Sequence, residues 1–246
     1  MKVKKNWKQV KRLGIDEIAK RKGHKNFVTV ISDLENANLL EVIDSHKQEE
    51  IAKVLMQQPL EVREAVEEVS VDMWGGFPKV IKEVFPNAKI VIDRFHVMKA
   101  VNENLDTIRK QTERKVKIKG ERWLLLKNKV DLNNDSLEKL EAVLSQSKRL
   151  RQAHKLKEDF RKIYEDSQER DVGKQSFEQW LLAAQDIYST AVKTIRNHLD
   201  NICNYFLSRT TNGVMEGINN RLKLIKRQAY GFMNFENMRR RFLSCF

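Results

Sequence analysis

The spacing of hydrophobic and polar positions changes period once along this chain. Up to about residue 95 the apolar residues come in short β-branched runs. Beyond Val97 they recur every three or four positions almost to the end. Residues 12–17 read as a strand, 27–31 as a stronger one, and 34–38 as a turn into a third at 39–43. Helical patterns follow near 47–58 and 60–68, parted by Pro59. A short strand at 69–72 stops at Trp74-Gly75-Gly76, Pro78 opens a helix over 79–85, and 89–93 is a further strand. The first 95 residues therefore read as β-β-β-α-β-α-β. Val97, Val101, Leu105 and Ile108 then form one apolar helical stripe. The highly charged stretch from about 110 to 200, punctuated by Asn133-Asn134-Asp135 and Val172-Gly173, predicts an all-helical insertion or bundle.

Composition narrows the class. Of 246 residues, 41% are hydrophobic, enough for a core, and 47 Lys+Arg against 34 Asp+Glu leave a net charge of +13. With mean hydropathy −0.60 and no long apolar run, the expectation is a soluble chain with no membrane partner. Cys203 and Cys245 form no CxxC, which excludes a zinc finger or a disulfide framework and predicts a reducing cytoplasm. The charge is uneven. Residues 1–32 carry ten basic and two acidic groups, 33–72 carry three and eleven, and 217–246 carry seven and one. The acidic block reads as a solvated helical face, whereas the basic excess points to a polyanion, most simply nucleic acid.

Asp16, Asp72 and Asp93 each close or nearly close a predicted strand. Carboxylates at neighbouring strand ends suit hard divalent cations, and an Asp after a strand also starts turns. A fourth acid lies in Thr210-Thr211-Asn212-Gly213-Val214-Met215-Glu216-Gly217-Ile218-Asn219-Asn220, where Thr211-Asn212 reads as a helix start. At 100° per residue Glu216, Asn220, Lys223 and Arg227 share a polar face. Met215, Ile218, Leu222, Ile225 and Ala229 lie opposite.

Three blocks carry a resemblance. Val71-Asp72-Met73-Trp74 with Phe85-Pro86-Asn87-Ala88-Lys89-Ile90-Val91-Ile92-Asp93-Arg94-Phe95-His96-Val97 is the first. Asn212-Gly213-Val214-Met215-Glu216-Gly217-Ile218-Asn219-Asn220 is the second, with Ala229-Tyr230-Gly231-Phe232-Met233-Asn234-Phe235 as its continuation. Gly14-Ile15-Asp16-Glu17 ahead of Phe27-Val28-Thr29-Val30 is the third. Together they resemble bacterial insertion-sequence transposases of the ISL-three family over nearly the whole chain.

The resemblance implies an α/β, RNase H-like fold of the DDE type: a mixed five-stranded sheet with flanking helices and a large all-helical insertion. Residues 1–98 would form the first part of the catalytic core, 99–208 the insertion, and 209–246 the helical part carrying the last acid. It implies Asp16, Asp72 and Glu216 as catalytic residues holding two Mg²⁺ or Mn²⁺ ions, with Asp33 the rival for the first acid. Asp93 and His96 match an Asp-x-x-His element that supports the site or contacts DNA. Asn220, Lys223, Lys226 and Arg227 would bind DNA. Arg239-Arg240-Arg241 reads equally as phosphate-neutralising or as solvated surface. The implied partners are transposon ends and target DNA, with a homo-oligomer assembled on them, in the bacterial cytoplasm at the nucleoid. Full-length relatives carry a cysteine-rich zinc-binding segment and a helix-turn-helix ahead of the core. The expectation is therefore a fragment or a truncated element, and a catalytically silent DNA-binding remnant is the alternative.

Overall fold

A strand with neighbours of both senses lies at the centre of the sheet. In the computed structural model, which describes residues 5–20, 26–73, 76–116, 122–210 and 213–246, β1 spans Arg12–Ala19. It pairs antiparallel with β2, Phe27–Asp33, and parallel with β4, Glu68–Val71. β3, Asn38–Ile43, continues antiparallel beyond β2, and β5, Lys89–Ile92, continues parallel beyond β4. The resulting order, β3-β2-β1-β4-β5, is the mixed five-stranded sheet expected of an RNase H-like core.

Three helices link the later strands: α1, Gln48–Leu55; α2, Leu60–Glu64; and α3, Phe77–Val84. β-branched residues dominate β4 and β5, and all four residues of β4 are buried, as interior parallel strands require. The pattern read as helix over 60–68 ends at Glu64, and Glu68 already belongs to β4 because pairing on both sides buries it. The acidic block is not a helical face. Only Glu49, Glu50, Glu61 and Glu64 of its eleven acids lie on helices, and Asp33 and Glu68 are buried. Trp74 and Gly75 lie outside the described residues.

The chain divides into two units, one of residues 1–93 and 210–246, the other of 94–209. Every described element of the second is helical: α4, Arg94–Val116; α5, Arg122–Leu126; a 3-10 turn at Lys129–Asp131; α6, Asn134–Ser145; α7, Lys148–Asp166; α8, Arg170–Ala184; α9, Ser189–Asn197; α10, Leu199–Cys203; and α11, Tyr205–Ser208. Phe160, Tyr164, Phe177 and Phe206 meet edge-on or tilted in its core. A Cβ on Gly173 would stand 2.1 Å from the Phe206 ring, so only glycine fits there. The buried face of α7 also carries charge. Lys157 is fully buried, and its ammonium donates to Glu158 at 2.5 Å and to the Lys127 carbonyl at 2.8 Å.

In the first unit two C-terminal helices complete the fold: α12, Gly213–Gln228, and α13, Phe235–Ser244. Met215, Ile218, Leu222 and Ile225 of α12, with Met238, Phe242 and Leu243 of α13, share a core with Ile18, Val28, Val30 and Leu39 of the sheet. Gly14 permits this close packing. A Cβ there would come within 2.8 Å of Leu34 and 3.5 Å of Met215. The predicted apolar face of α12 holds except at Ala229, which is exposed and lies past the helix end. No helix among the described residues is long and apolar enough to cross a membrane.

Candidate active site

Strand register accounts for the placement of three acids. The last paired residues of the parallel segment are Ile15↔Val71 and Val71↔Ile92. The next residue on each chain is Asp16, Asp72 and Asp93. Three carboxylate residues therefore stand in a row across β1, β4 and β5, with strands roughly 4.8 Å apart. Asp72 and Asp93 follow the carboxyl ends of β4 and β5, where open α/β sheets bind their ligands, while Asp16 lies mid-strand on β1, which continues to Ala19 against β2. The row is tied down beneath: the Asp93 amide donates to the Val71 carbonyl at 2.9 Å, and Asp93 is buried.

α12 meets this row through a residue that the sequence pattern hides. Asn219, buried within the apolar stripe between Ile218 and Leu222, donates from Nδ2 to Asp16 Oδ2 at 2.6 Å. The other Asp16 oxygen accepts the Glu17 amide at 2.7 Å. Glu216 lies three residues before Asn219 on the exposed side of the helix. Glu17, half-buried on β1, is a fourth carboxyl in the neighbourhood. Burial pushes its pKa above the ordinary value, and Asp72 and Asp16 add to the rise while His46 opposes it.

Asp33, the rival first acid, does other work. It pairs with Leu13, so it lies at the opposite end of β1, about 10 Å along the strand from Asp16. Its oxygens accept the Glu35 and Asn36 amides and the Asn36 side chain, closing the β2–β3 turn.

In kind, the carboxylates suit a hard divalent cation. Two buried oxygens, Glu17 Oε1 and Asn219 Oδ1, find no hydrogen-bond donor among the described residues, which also suits a cation nearby. Among the described residues no three His, Cys, Asp or Glu side chains are gathered closely enough to hold one.

Next to the carboxyl end of β1 runs a groove of about 860 Å³. Asn220, Lys223, Lys226 and Arg227 of α12 line one side, and Lys20 also lines it. Lys226 is committed internally. Its ammonium donates to the Ala19 carbonyl, and burial, with the neighbouring Lys223, holds its pKa below the usual lysine value. Lys20 pairs with Asp44. Arg239, read as a candidate phosphate ligand, instead grips Glu41 of β3 through two hydrogen bonds of 2.6 Å, while Arg240 and Arg241 are exposed.

The same groove holds an unusual helix end. The Gly231 amide donates to the Lys226 carbonyl at 2.9 Å and the Tyr230 amide to the Arg227 carbonyl at 3.1 Å, the bond pair of a Schellman cap. The left-handed position of that cap, normally glycine, is Tyr230 with φ 52°. A side chain there costs about 1 kcal/mol, and the Tyr230 ring recovers none of it by packing, being fully exposed.

A family model described as a transposase, of the DDE type and the ISL-three group, matches residues 13–242. The chain belongs to that family. Among similar proteins is the "Transposase for insertion sequence element IS1001" of Bordetella parapertussis, 27% identical over 244 residues, which cover 94% of this chain and 60% of that protein. The "Transposase for insertion sequence element IS1557" of Mycobacterium tuberculosis is 26% identical over 259 residues, covering 91% and 57%. A Lactococcus lactis protein named "ATP-dependent protease" is 34% identical over 107 residues, 42% of this chain and 33% of that protein. This chain has no G-x-x-x-x-G-K-[ST] phosphate loop. It spans about 60% of the length of the two transposases.

Asp16, Asp72 and Asp93 occupy neighbouring positions where the parallel pairing of β1, β4 and β5 ends, and Glu216 rides on the helix that Asn219 fastens to Asp16. Asp93 ends β5 in the first unit, whereas His96, half-buried and edge-on to Phe95 at 5.4 Å, belongs to α4 in the second. Thr211 and Asn212, read as the start of α12, lie outside the described residues. The sequence pattern singles out neither Asn219 nor Glu17; for Asn219 the signal is an amide where helical periodicity calls for an apolar residue.

Proposed function

We propose that this chain is the catalytic part of an insertion-sequence transposase, cutting DNA at element ends and joining those ends to target DNA. The observation that supports the reading is the register that sets Asp16 beside Asp72 where the parallel pairing of β1 and β4 ends, with α12, which bears Glu216, fastened to Asp16 by Asn219. Asp16, Asp72 and Glu216 are the ligands we assign to two Mg²⁺ or Mn²⁺ ions. When bound, such ions neutralise charge at the scissile phosphate and lower the pKa of the attacking water. Water attacks phosphorus, the P–O3′ bond breaks, and a 3′-hydroxyl is released. That hydroxyl then attacks a target phosphorus in line and displaces its 3′ oxygen.

The surrounding residues have supporting tasks. Asn219 fixes the orientation of the Asp16 carboxylate. Lys223 and Arg227, which make no ion pair among the described residues, hold phosphates along the groove, and Asn220 adds an amide. Lys226 contributes positive potential from its seat on Ala19. Assembly of copies on paired ends belongs to the same proposal, as does residence at the bacterial nucleoid. Asp93 and His96 are supporting residues in this reading.

The test is nicking of supercoiled plasmid by the purified chain with Mn²⁺ or Mg²⁺, and its arrest by a chelator. Salt-sensitive DNA binding without any nicking under either ion would instead favour a catalytically silent remnant.

A further inference from the structure

The groove beside the strand ends combines features that duplex binding alone does not require. Its described lining includes four cations, Lys20, Lys223, Lys226 and Arg227, and no acid. Its lining also includes the two most exposed large apolar side chains among the described residues, Tyr230 and Met233, at 101% and 99% of full exposure. Neither buries surface, so neither is there for the core. Tyr230 in addition occupies the left-handed cap position that glycine fills without strain, with Gly231, itself at φ 94°, one residue too late to serve there. Strained residues that persist without packing are characteristic of sites where a ligand makes the missing contacts.

A cationic groove with an exposed ring at its edge is the arrangement that binds single strands, whose bases offer a flat face that a duplex keeps stacked. We infer that Tyr230, with Met233 beside it, is a stacking platform for an unpaired base of DNA, while Lys223 and Arg227 hold the neighbouring phosphates. This deepens the proposed function and rests on it, since the strand held there would be one opened next to the Asp16–Asp72 row. The platform takes any base, because stacking reads no edge.

The experiment measures binding of the purified chain to labelled single-stranded and duplex DNA of equal length by fluorescence anisotropy at low salt. Tyr230→Ala is expected to weaken single-strand binding roughly 10-fold and duplex binding by less than about 2-fold, with Tyr230→Trp retaining both. Tyr230→Gly gives the sharper contrast. It should raise the melting temperature by relieving the cap while losing single-strand affinity as Tyr230→Ala does. Unchanged single-strand binding in both the Ala and Gly variants, or equal loss on both DNAs, would overturn the platform. If the wild-type chain bound neither DNA at low salt, the transposase reading would fall with it. If it bound duplex normally and the variants bound single strands as wild type does, only the platform would fall.

Discussion

Asn219 and Asp16 are 203 positions apart in sequence and share a hydrogen bond of 2.6 Å, which ties α12 to β1 at the acid row. Hydrogen bonds to charged groups contribute about 1.5–3 kcal/mol, and an orienting partner of a metal-binding carboxylate affects activity more than stability. Asn219→Ala should lower the melting temperature modestly and reduce metal-dependent nicking roughly 10- to 100-fold. It should also raise the Mn²⁺ concentration needed for half-maximal rate. Loss of stability with unchanged metal dependence would make Asn219 a packing residue only.

His154 lies buried on α7. Burial first, and then the Lys157 ammonium, hold its pKa down at about 4. Its 3.9 Å approach to Glu158 is therefore not an ion pair at neutral pH. The unfolded chain takes up this proton near pH 6.5 and the folded chain does so only near 4. Between those values the unfolded state binds more protons, so stability that is full above pH 6.5 is lost as pH falls towards 4, by about 3 kcal/mol at most. Urea unfolding of the helical unit should show that slope in the wild type and a shallower one in His154→Leu.

Lys157 and Glu158 form a buried pair on the same helix. Burial lowers the Lys157 pKa. For Glu158 burial acts upward, but the Lys157 hydrogen bond and charge outweigh it and hold the carboxyl below its ordinary range. Lys157→Met removes one partner of a buried carboxylate that keeps the Lys129 amide at 3.1 Å and the Arg161 guanidinium at 3.4 Å, and should destabilise the unit by roughly 1.5–3 kcal/mol. Adding Glu158→Leu should restore much of that loss. No recovery in the double variant would show that Lys157 stabilises through its bond to the Lys127 carbonyl instead.

Arg239 and Glu41 join α13 to β3 by a two-pronged contact, with each side chain about one-fifth exposed. Arg239→Lys keeps the charge and loses the fork, so it should cost roughly 1 kcal/mol. Amide exchange in α13 should quicken while DNA affinity stays near wild type. A large fall in DNA affinity would return Arg239 to the phosphate-binding set.

Much of the sheet was legible because strands announce themselves by β-branched runs. The runs around Val30, Leu40, Val71 and Val91 became β2, β3, β4 and β5. Parallel pairing of β1 with β4 was not legible locally, because nothing near Ile15 names Val71 as its neighbour. The apolar face of α12 was read from its period, but the same reading extended to Ala229, past a helix that ends where Tyr230 turns left-handed. Asn219 escaped because an amide in an apolar stripe gains its meaning from Asp16, which only the tertiary fold supplies. Likewise Arg239 among three consecutive arginines cannot be told from Arg240 or Arg241 until Glu41 is seen opposite it.

Plasmid nicking in Mn²⁺ by charge-neutral variants of the proposed centre is the most direct measurement. Asp16→Asn, Asp72→Asn and Glu216→Gln keep side-chain size and should leave duplex affinity near wild type; melting temperature should hold for the last two and fall modestly for Asp16→Asn, which gives up one of two accepted hydrogen bonds. Each should abolish nicking, whereas Asp33→Asn should not. Nicking at wild-type rates in the Asp72 and Glu216 variants would contradict the assignment of the centre.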